Sequence, residues 1–403
     1  MTLSEELTWR GFVNQMTFAD IKELDETSRT FYLGVDPSAS SMHVGNLAAV
    51  MFVKHLTNAG FKPIVLVGGA TGLIGDPKED AERDLKTLDE IAKNKAGIAA
   101  QYRSLLQGAQ FEVVDNYDWF KDIGYLTFLR DIGKHFSMTQ LLDREFIKAR
   151  IGEGGVGISY AEFSYSLIQG YDFLHLFREK GVTLQVGGSD QWGNMLSGAQ
   201  MIKKLEDKEA HVLTVPLVID KKSGKKFGKS EGNAVWLDPE LTTPYQFYQF
   251  WLNVDDEMAK DLIKIYTMLD KETVEALIAD HDANPSERVL QKRLAVEVTE
   301  LIHGRERRGS VERVTSVLFG GHSISELNDD DLDALSHEIP TVSKGKSTVE
   351  VLVGVGVVSS NGEARRLMAG GGVSVNGEKL TDDREIHETS LLRKGKNSFV
   401  LVR

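Results

Sequence analysis

The chain has 403 residues, 41% hydrophobic and 27% charged, with a net charge of −13 and no cysteine. That length predicts two or three domains, and the composition is that of an ordinary soluble chain. The missing cysteines exclude disulfides, thiolate nucleophiles and cysteine-based zinc sites. The opening MTLSEELTWRG has early acids and no apolar core, and no apolar run approaches membrane-helix length. A cytoplasmic location with no membrane partner is therefore expected.

The acidity is uneven. Residues 340–403 hold ten lysines and arginines against seven acids, a net of +3, while residues 1–339 are net −16. RNA binding depends on local basic patches, so the overall sign does not exclude it. The shift predicts a boundary near residue 340.

In chain order, Trp9 to Thr30 is expected to be helical with a polar loop. Phe31 to Val35 reads as a short buried strand, followed by a turn through Asp36-Pro37-Ser38. His43-Val44-Gly45-Asn46 then opens a helix in which Leu47, Val50, Met51, Val53 and Leu56 keep an amphipathic spacing. A strand feeding a helix N-terminus offers free N–H groups and partial positive charge to an anion. His43 and Asn46 add two side-chain donors.

Pro63 to Val67 is a second strand, and strand–helix–strand at this spacing predicts a parallel sheet with a right-handed crossover. Gly68 to Pro77 is expected as a loop at that strand's carboxyl end, where open α/β sheets bind ligands. A mobile surface segment, Lys78 to Asp89, precedes a helix from about Leu88 to Gln107. Phe111 to Val114 is the third strand, and helices follow to about Tyr171. Tyr165, Gln169 and Asp172 lie at i, i+4 and i+7, so one helix face presents a phenol, an amide and a carboxylate. A buried polar row of this kind needs partners, and a ligand is a natural one.

Thr183 to Gly187 is the fourth strand, Ser189 to Trp192 caps the next helix, and Val212 to Ile219 is the fifth strand. From it hangs Lys225-Lys226-Phe227-Gly228-Lys229-Ser230. Taken singly, His43 is most simply a helix cap and the lysine loop a solvated turn. Together, ordered around an α/β region, they point to nucleotide phosphates. The part from Thr242 is helical, with a polar linker near Asn328–Asp333. From Thr348 two small helices, a glycine turn and a β-rich finish are expected.

The pair HVGN and KFGKS resembles the HIGH and KMSKS signatures of class I aminoacyl-tRNA synthetases. Between them YLGVDP, VGGATGLIGDP, SYSLIQGYDF and LQVGGSDQWGN are similar, in that order, to the tyrosyl-tRNA synthetase set. SNGEARRLMAGGGVSVNGEKL resembles an S4-type RNA-binding signature, so the resemblance covers nearly the whole chain. It implies a Rossmann-like parallel-sheet α/β catalytic domain with inserted dimer-interface helices over 1–225. A helical domain with the KFGKS loop over 226–335 and a small α+β S4-like domain over 340–403 would follow. It also implies ATP-dependent activation of tyrosine, transfer to tRNA(Tyr), and a homodimer; the apolar helices between about Gly124 and Leu142 are the expected interface, because a long exposed apolar face invites association.

On this resemblance His43, Asn46, Lys226, Lys229 and Ser230 are the catalytic donors to the triphosphate. Mg²⁺ would arrive with ATP, and no protein metal site is expected. Tyr32 and Asp172 would bond the substrate phenol. A pocket built to bond a hydroxyl rejects an analogue that lacks it, a rule this family itself commonly illustrates. Tyr165, Gln169 and Asp76 would receive the α-amino group, with Gln185 lining the pocket. Gly34, Asp36, Gly45, Gly187, Asp190 and Gln191 would contact the adenylate, with Val218 facing the adenine. Arg365 and Arg366 would touch RNA backbone, and Arg144, Lys148 and Arg150, or Lys203 and Lys204, the acceptor end. The chain departs from the commonest pattern at Asn46, where the signature ends in histidine, and at Ala49. Two rival readings are a tryptophan ligase, against which Tyr32 and Asp172 argue, and a non-catalytic RNA-binding protein, against which the two phosphate motifs argue.

Overall fold

Five segments line up as a parallel sheet; the four longer strands are mostly buried, and the short edge strand Glu112–Val114 is partly exposed. They are β1 (Thr30–Val35), β2 (Lys62–Val67), β3 (Glu112–Val114), β4 (Val182–Gly188) and β5 (His211–Val215), in the order β3-β2-β1-β4-β5. The computed structural model describes residues 1–76, 86–142, 145–152, 154–155, 157–221, 224–230 and 233–403. The expected mobile segment from Lys78 up to residue 85 lies outside them, as does Arg144. The chain divides into two compact units, Met1–Thr242 with Val254–Leu294, and Thr243–Asn253 with Ala295–Arg403.

In the first unit the chain builds outward from β1 to β3, then returns to the other side of β1 for β4 and β5. That reversal leaves a crevice at the carboxyl ends of β1 and β4, the place where doubly wound sheets take ligands. The helix Val44–Asn58 follows β1 and buries Val44, Leu47, Val50, Met51, Val53 and Leu56. The helix Tyr160–Lys180 starts in a capping box between Ser159 and Glu162 and stops at Gly181 in a left-handed conformation. The helices Asp256–Tyr266 and Lys271–Ala283 belong to this unit as well, and so does the KFGKS loop.

Three expectations are corrected. Gly69–Ile74, expected as loop, is a short helix: Asp115 Oδ1 accepts from the Gly69 N–H at 2.8 Å and Asn116 Oδ1 from that of Ala70 at 2.7 Å. Its caps come from a distant segment, which no local pattern announces. β5 ends at Val215, short of Ile219, because Pro216 has no N–H for the ladder. Asn328–Asp333 is no linker. Asn328 caps the helix Asp329–Glu338, whose first-turn acids complement the helix dipole, and buried Asp331 accepts from Arg313 at 2.7 and 2.8 Å.

In the second unit Val314, Val317, Leu318, Ile324, Leu332 and Leu335 pack against Leu391, Phe399 and Leu401. Around them a five-stranded sheet includes Val373–Val375, Ser390–Lys394 and Ser398–Val402, covered by the helices Thr348–Gly354 and Asn361–Ala369. Asn376 (φ 50) and Gly377 (φ 86) turn the hairpin after Val375; a two-residue turn with both φ positive favours this asparagine–glycine pair. Among the described residues no helix is long and apolar enough to cross a membrane.

Candidate active site

A cavity of about 420 Å³ opens at the carboxyl ends of β1 and β4. Tyr32 and Gln185 pair in register across those strands. Gln169 and Asp172 reach it from the helix Tyr160–Lys180, as the i, i+4, i+7 spacing predicts. Tyr32, Asp172 and Gln185 are almost fully buried. The hydroxyl of Tyr32, Oε1 of Gln169 and Oε1 of Gln185 have no hydrogen-bond partner among the described residues. Buried polar atoms are nearly always satisfied, so three orphans around one cavity describe the outline of a polar ligand.

Asp172 is held by residues that sequence reasoning did not single out. Asn116 Nδ2 donates to its Oδ2 at 3.1 Å and Trp119 Nε1 to its Oδ1 at 2.9 Å. Burial pushes this carboxyl up to about 7, against the pull of the two donors and with a further push from Asp36. Burial, and then the charge of Asp172, drives the Tyr32 phenol well above its ordinary value. The available signal was the position of Asn116 and Trp119, just past the end of β3.

Beside this pair lies an acidic corner. Tyr165 donates to Asp36 Oδ2 at 2.9 Å, and Gln191 Nε2 donates to Asp76 Oδ2 at 2.8 Å. Asn194 joins it, giving Nδ2 to Asp76 at 3.5 Å while accepting from Ser166 at 2.6 Å. Burial first, then Asp36, Asp76 and Asp172, raise the Tyr165 phenol. A pocket wall carrying the carboxylates of Asp36 and Asp76 favours a cation.

The far end of the cavity is built by the two motifs. His43 is the helix N-cap: its Nδ1 accepts from the Gly45 N–H at 3.0 Å, while its own N–H donates to Asn46 Oδ1 at 3.1 Å. That bond sets the neutral tautomer, with the proton on Nε2, and leaves Nδ2 as the donor end of Asn46. The capping role and a position on the cavity coexist in one residue. The KFGKS loop closes on this helix at Gly228, whose φ is +76 and where a Cβ would stand 2.0 Å from Val44 Cγ2. Lys226 Nζ pairs with Asp190 Oδ2 at 2.9 Å, both about half exposed. Gly34, Gly45, Gly187 and Val218 also line the cavity. The backbone of Lys229–Ser230 forms a short strand against Asn233–Ala234, and their side chains lie outside the described atoms.

Arg365 and Arg366 are exposed on the helix Asn361–Ala369 of the second unit. Arg150 is a correction. Instead of offering itself to RNA, it is buried, donating to Glu162 at 3.0 Å. A cation at that depth persists only because a carboxylate neutralises it. No group of three histidines or acids able to hold a metal occurs among the described residues.

The model of the family described as tRNA synthetases class I (W and Y) matches residues 24–320, and that of the tyrosine–tRNA ligase SYY-like C-terminal domain matches residues 331–403. Sheet, crevice and the HVGN and KFGKS motifs thus belong to a class I aminoacyl-tRNA synthetase, a class that uses ATP as substrate. The tyrosine–tRNA ligase of Bacteroides thetaiotaomicron is 42% identical over 428 aligned residues, spanning 100% of this chain and 99% of that one. That of Streptococcus mutans is 42% identical over 421, spanning 100% of both. The C-terminally truncated mitochondrial tyrosyl-tRNA synthetase of Aspergillus nidulans has a TM-score of 0.70 at 29% identity, covering 79% of this chain and 94% of that chain. The chain belongs to the bacterial-type tyrosyl-tRNA synthetases.

Proposed function

We propose that this protein is a tyrosine–tRNA ligase: it joins tyrosine to ATP, releases pyrophosphate, and passes the tyrosyl group to the 3′ end of tRNA(Tyr). The observation that carries the reading is the buried Tyr32 hydroxyl, partnerless beside Asp172. A substrate phenol donating to Asp172 and accepting from Tyr32 satisfies both. The acidic corner of Asp36, Asp76 and Tyr165, with Gln169, takes the α-ammonium, and Gln185 lines the pocket between.

A carboxylate oxygen of tyrosine attacks the α-phosphorus, and the bond to the β-phosphate oxygen breaks with its electron pair leaving on pyrophosphate. The nucleophile is already ionised, so the protein needs no general base. Its work is positioning and charge stabilisation. His43 Nε2 and Asn46 Nδ2 donate to the α- and leaving-phosphate oxygens; Lys226, Lys229 and Ser230 hold the β- and γ-phosphates. Each such preorganised donor contributes about 2–4 kcal/mol in the transition state. Gly34, Asp36, Gly45, Gly187, Asp190 and Gln191 contact the adenylate, Asp190 at the ribose once ATP displaces its pairing with Lys226. Mg²⁺ comes bound to the nucleotide phosphates, which supply its oxygen ligands. A ribose hydroxyl of the tRNA terminus then attacks the tyrosyl carbonyl and AMP leaves.

Arg365 and Arg366 sit on RNA backbone, so tRNA affinity falls with salt. The S4-like part begins near residue 340, and the cytoplasm is where tRNA, ATP and tyrosine meet. The protein acts as a homodimer through Tyr125 and Leu126, which are 63% and 78% exposed, together with Met138 and Leu142. Light scattering at increasing dilution tests the dimer. Pyrophosphate exchange with each amino acid in turn, without tRNA, tests the ligase: exchange with tyrosine far above phenylalanine and tryptophan is expected. Exchange with tryptophan instead, or with none, overturns the reading.

A further inference from the structure

We infer that Tyr266, braced by Arg10, is a positioning residue for tyrosine activation, holding the HVGN and KFGKS motifs at one separation; this rests on the ligase reading above. Tyr266 ends the helix Asp256–Tyr266, belongs to neither motif and is fully buried. Its hydroxyl donates to the carbonyl of Val44 at 3.0 Å, and Val44 directly follows His43. Its ring centroid stands 6.1 Å from that of Phe227, the residue after Lys226. One rigid side chain therefore touches both motifs from beneath.

The junction it supports is tight. Val44 N–H donates to the Val235 carbonyl at 2.9 Å, and Val235 N–H donates to the Gly228 carbonyl at 3.0 Å. Gly228 packs on the Val44 side chain with no room for a Cβ. A shift of Val44 thus moves the His43 cap and the lysine loop together.

Arg10 explains why Tyr266 holds still. Its buried guanidinium donates to the carbonyls of Lys264 at 2.7 Å, Thr267 at 3.1 Å and Leu269 at 2.7 Å, which flank Tyr266 in sequence. The last carbonyls of a helix lack partners within it, and a cation complements their negative end. Arg10 is in turn held by Glu6, whose carboxylate accepts from its Nε at 3.0 Å. The N-terminal helix Leu3–Arg10 thereby takes part in the geometry of a site it does not touch.

The test separates the half-reactions. Tyr266→Phe keeps the ring against Phe227 and removes only the bond to Val44. Tyr266→Leu removes both contacts. In single-turnover experiments adenylate formation is expected to fall about 10-fold in the first and about 100-fold in the second, the scale of loss that small misplacements cause. The KM for tyrosine and the transfer from preformed adenylate to tRNA are expected to stay at wild-type values, while the thermal midpoint of Tyr266→Phe falls only by the worth of one buried hydrogen bond. If Tyr266→Leu does not fold, Arg10→Lys replaces it, with the same selective loss of adenylate formation. Wild-type adenylate formation in Tyr266→Phe overturns the inference. So does an equal loss in both half-reactions accompanied by a lower midpoint, which is the pattern of a packing residue. Absence of tyrosine-dependent exchange in the wild-type protein instead refutes the ligase reading and takes this inference with it.

Discussion

The indole N–H of Trp119 donates to Oδ1 of Asp172 at 2.9 Å, while Asn116 holds the other oxygen at 3.1 Å. The carboxylate proposed to recognise the substrate hydroxyl is thus aimed by two neighbours, each spending one donor on it. Trp119 also stacks on His175, with ring centroids 4.4 Å apart, so the indole is fixed from a second side.

Removing Asp172 is expected to act on selectivity before rate. A hydrogen bond to a charged group is worth about 1.5–3 kcal/mol, so Asp172→Ala should lower the tyrosine-over-phenylalanine ratio roughly 10- to 150-fold. Trp119→Phe, which keeps the ring and loses the N–H, should lower it by a smaller factor. Comparing kcat/KM for activation of the two amino acids checks both. Unchanged ratios would detach Asp172 from the phenol.

The raised ionisation of Asp172 makes a signed prediction about pH. Its carboxyl titrates at about 7 in the folded protein and near 4 when unfolded, so between these values the native state binds the extra proton. The stability it contributes is fully present below about pH 4 and is lost as pH rises through about 7, at up to about 1.4 kcal/mol per unit. Without substrate, the thermal midpoint of the wild type relative to Asp172→Asn should therefore decline from about pH 4 to about pH 7 and level off above it. Tyrosine binding runs the opposite way. A phenol donates to the ionised carboxylate, so KM should rise as pH falls below about 7 and stay flat in Asp172→Asn.

Tyr32→Phe should separate stability from function. The hydroxyl is buried without a partner among the described residues, and an unsatisfied group of this kind costs roughly 1–3 kcal/mol. The ligand-free variant is expected to melt at the same temperature as the wild type or higher. Its KM for tyrosine should rise about 2- to 10-fold, the worth of one neutral hydrogen bond. A fall in the midpoint together with an unchanged KM would show the hydroxyl to be structural.

Arg150 and Glu162 form an ion pair with side chains only 2% and 3% exposed. Breaking it with Arg150→Met leaves a buried carboxylate without its cation, held among the described residues only by Ser159, and should cost about 3–5 kcal/mol in denaturant unfolding. Replacing both, with Arg150→Met and Glu162→Leu, should recover most of that loss. The salt dependence of tRNA binding is expected to be the same in the double variant, because the guanidinium faces Glu162 and not solvent.

Much of this was legible in the chain itself. β1 and β2 announce themselves as apolar runs, and the Tyr165, Gln169 and Asp172 row follows from helical periodicity, because both signals are carried by residues close in sequence. The two phosphate motifs, and the order of the segments between them, likewise survive in one dimension and identify the family. Tertiary structure decided what those residues experience. Asn116 lies 56 positions from Asp172 and Trp119 lies 53, so their hold on the carboxylate appears only when β3 and the helix Tyr160–Lys180 are brought together. The same is true of Arg150, which reads as a surface cation until Glu162 covers it, and of Tyr266, 222 positions from Val44. Periodicity is a local property of the chain. Desolvation, pKa and the partner of a buried polar atom are properties of the packed interior, and they exist only after distant segments meet.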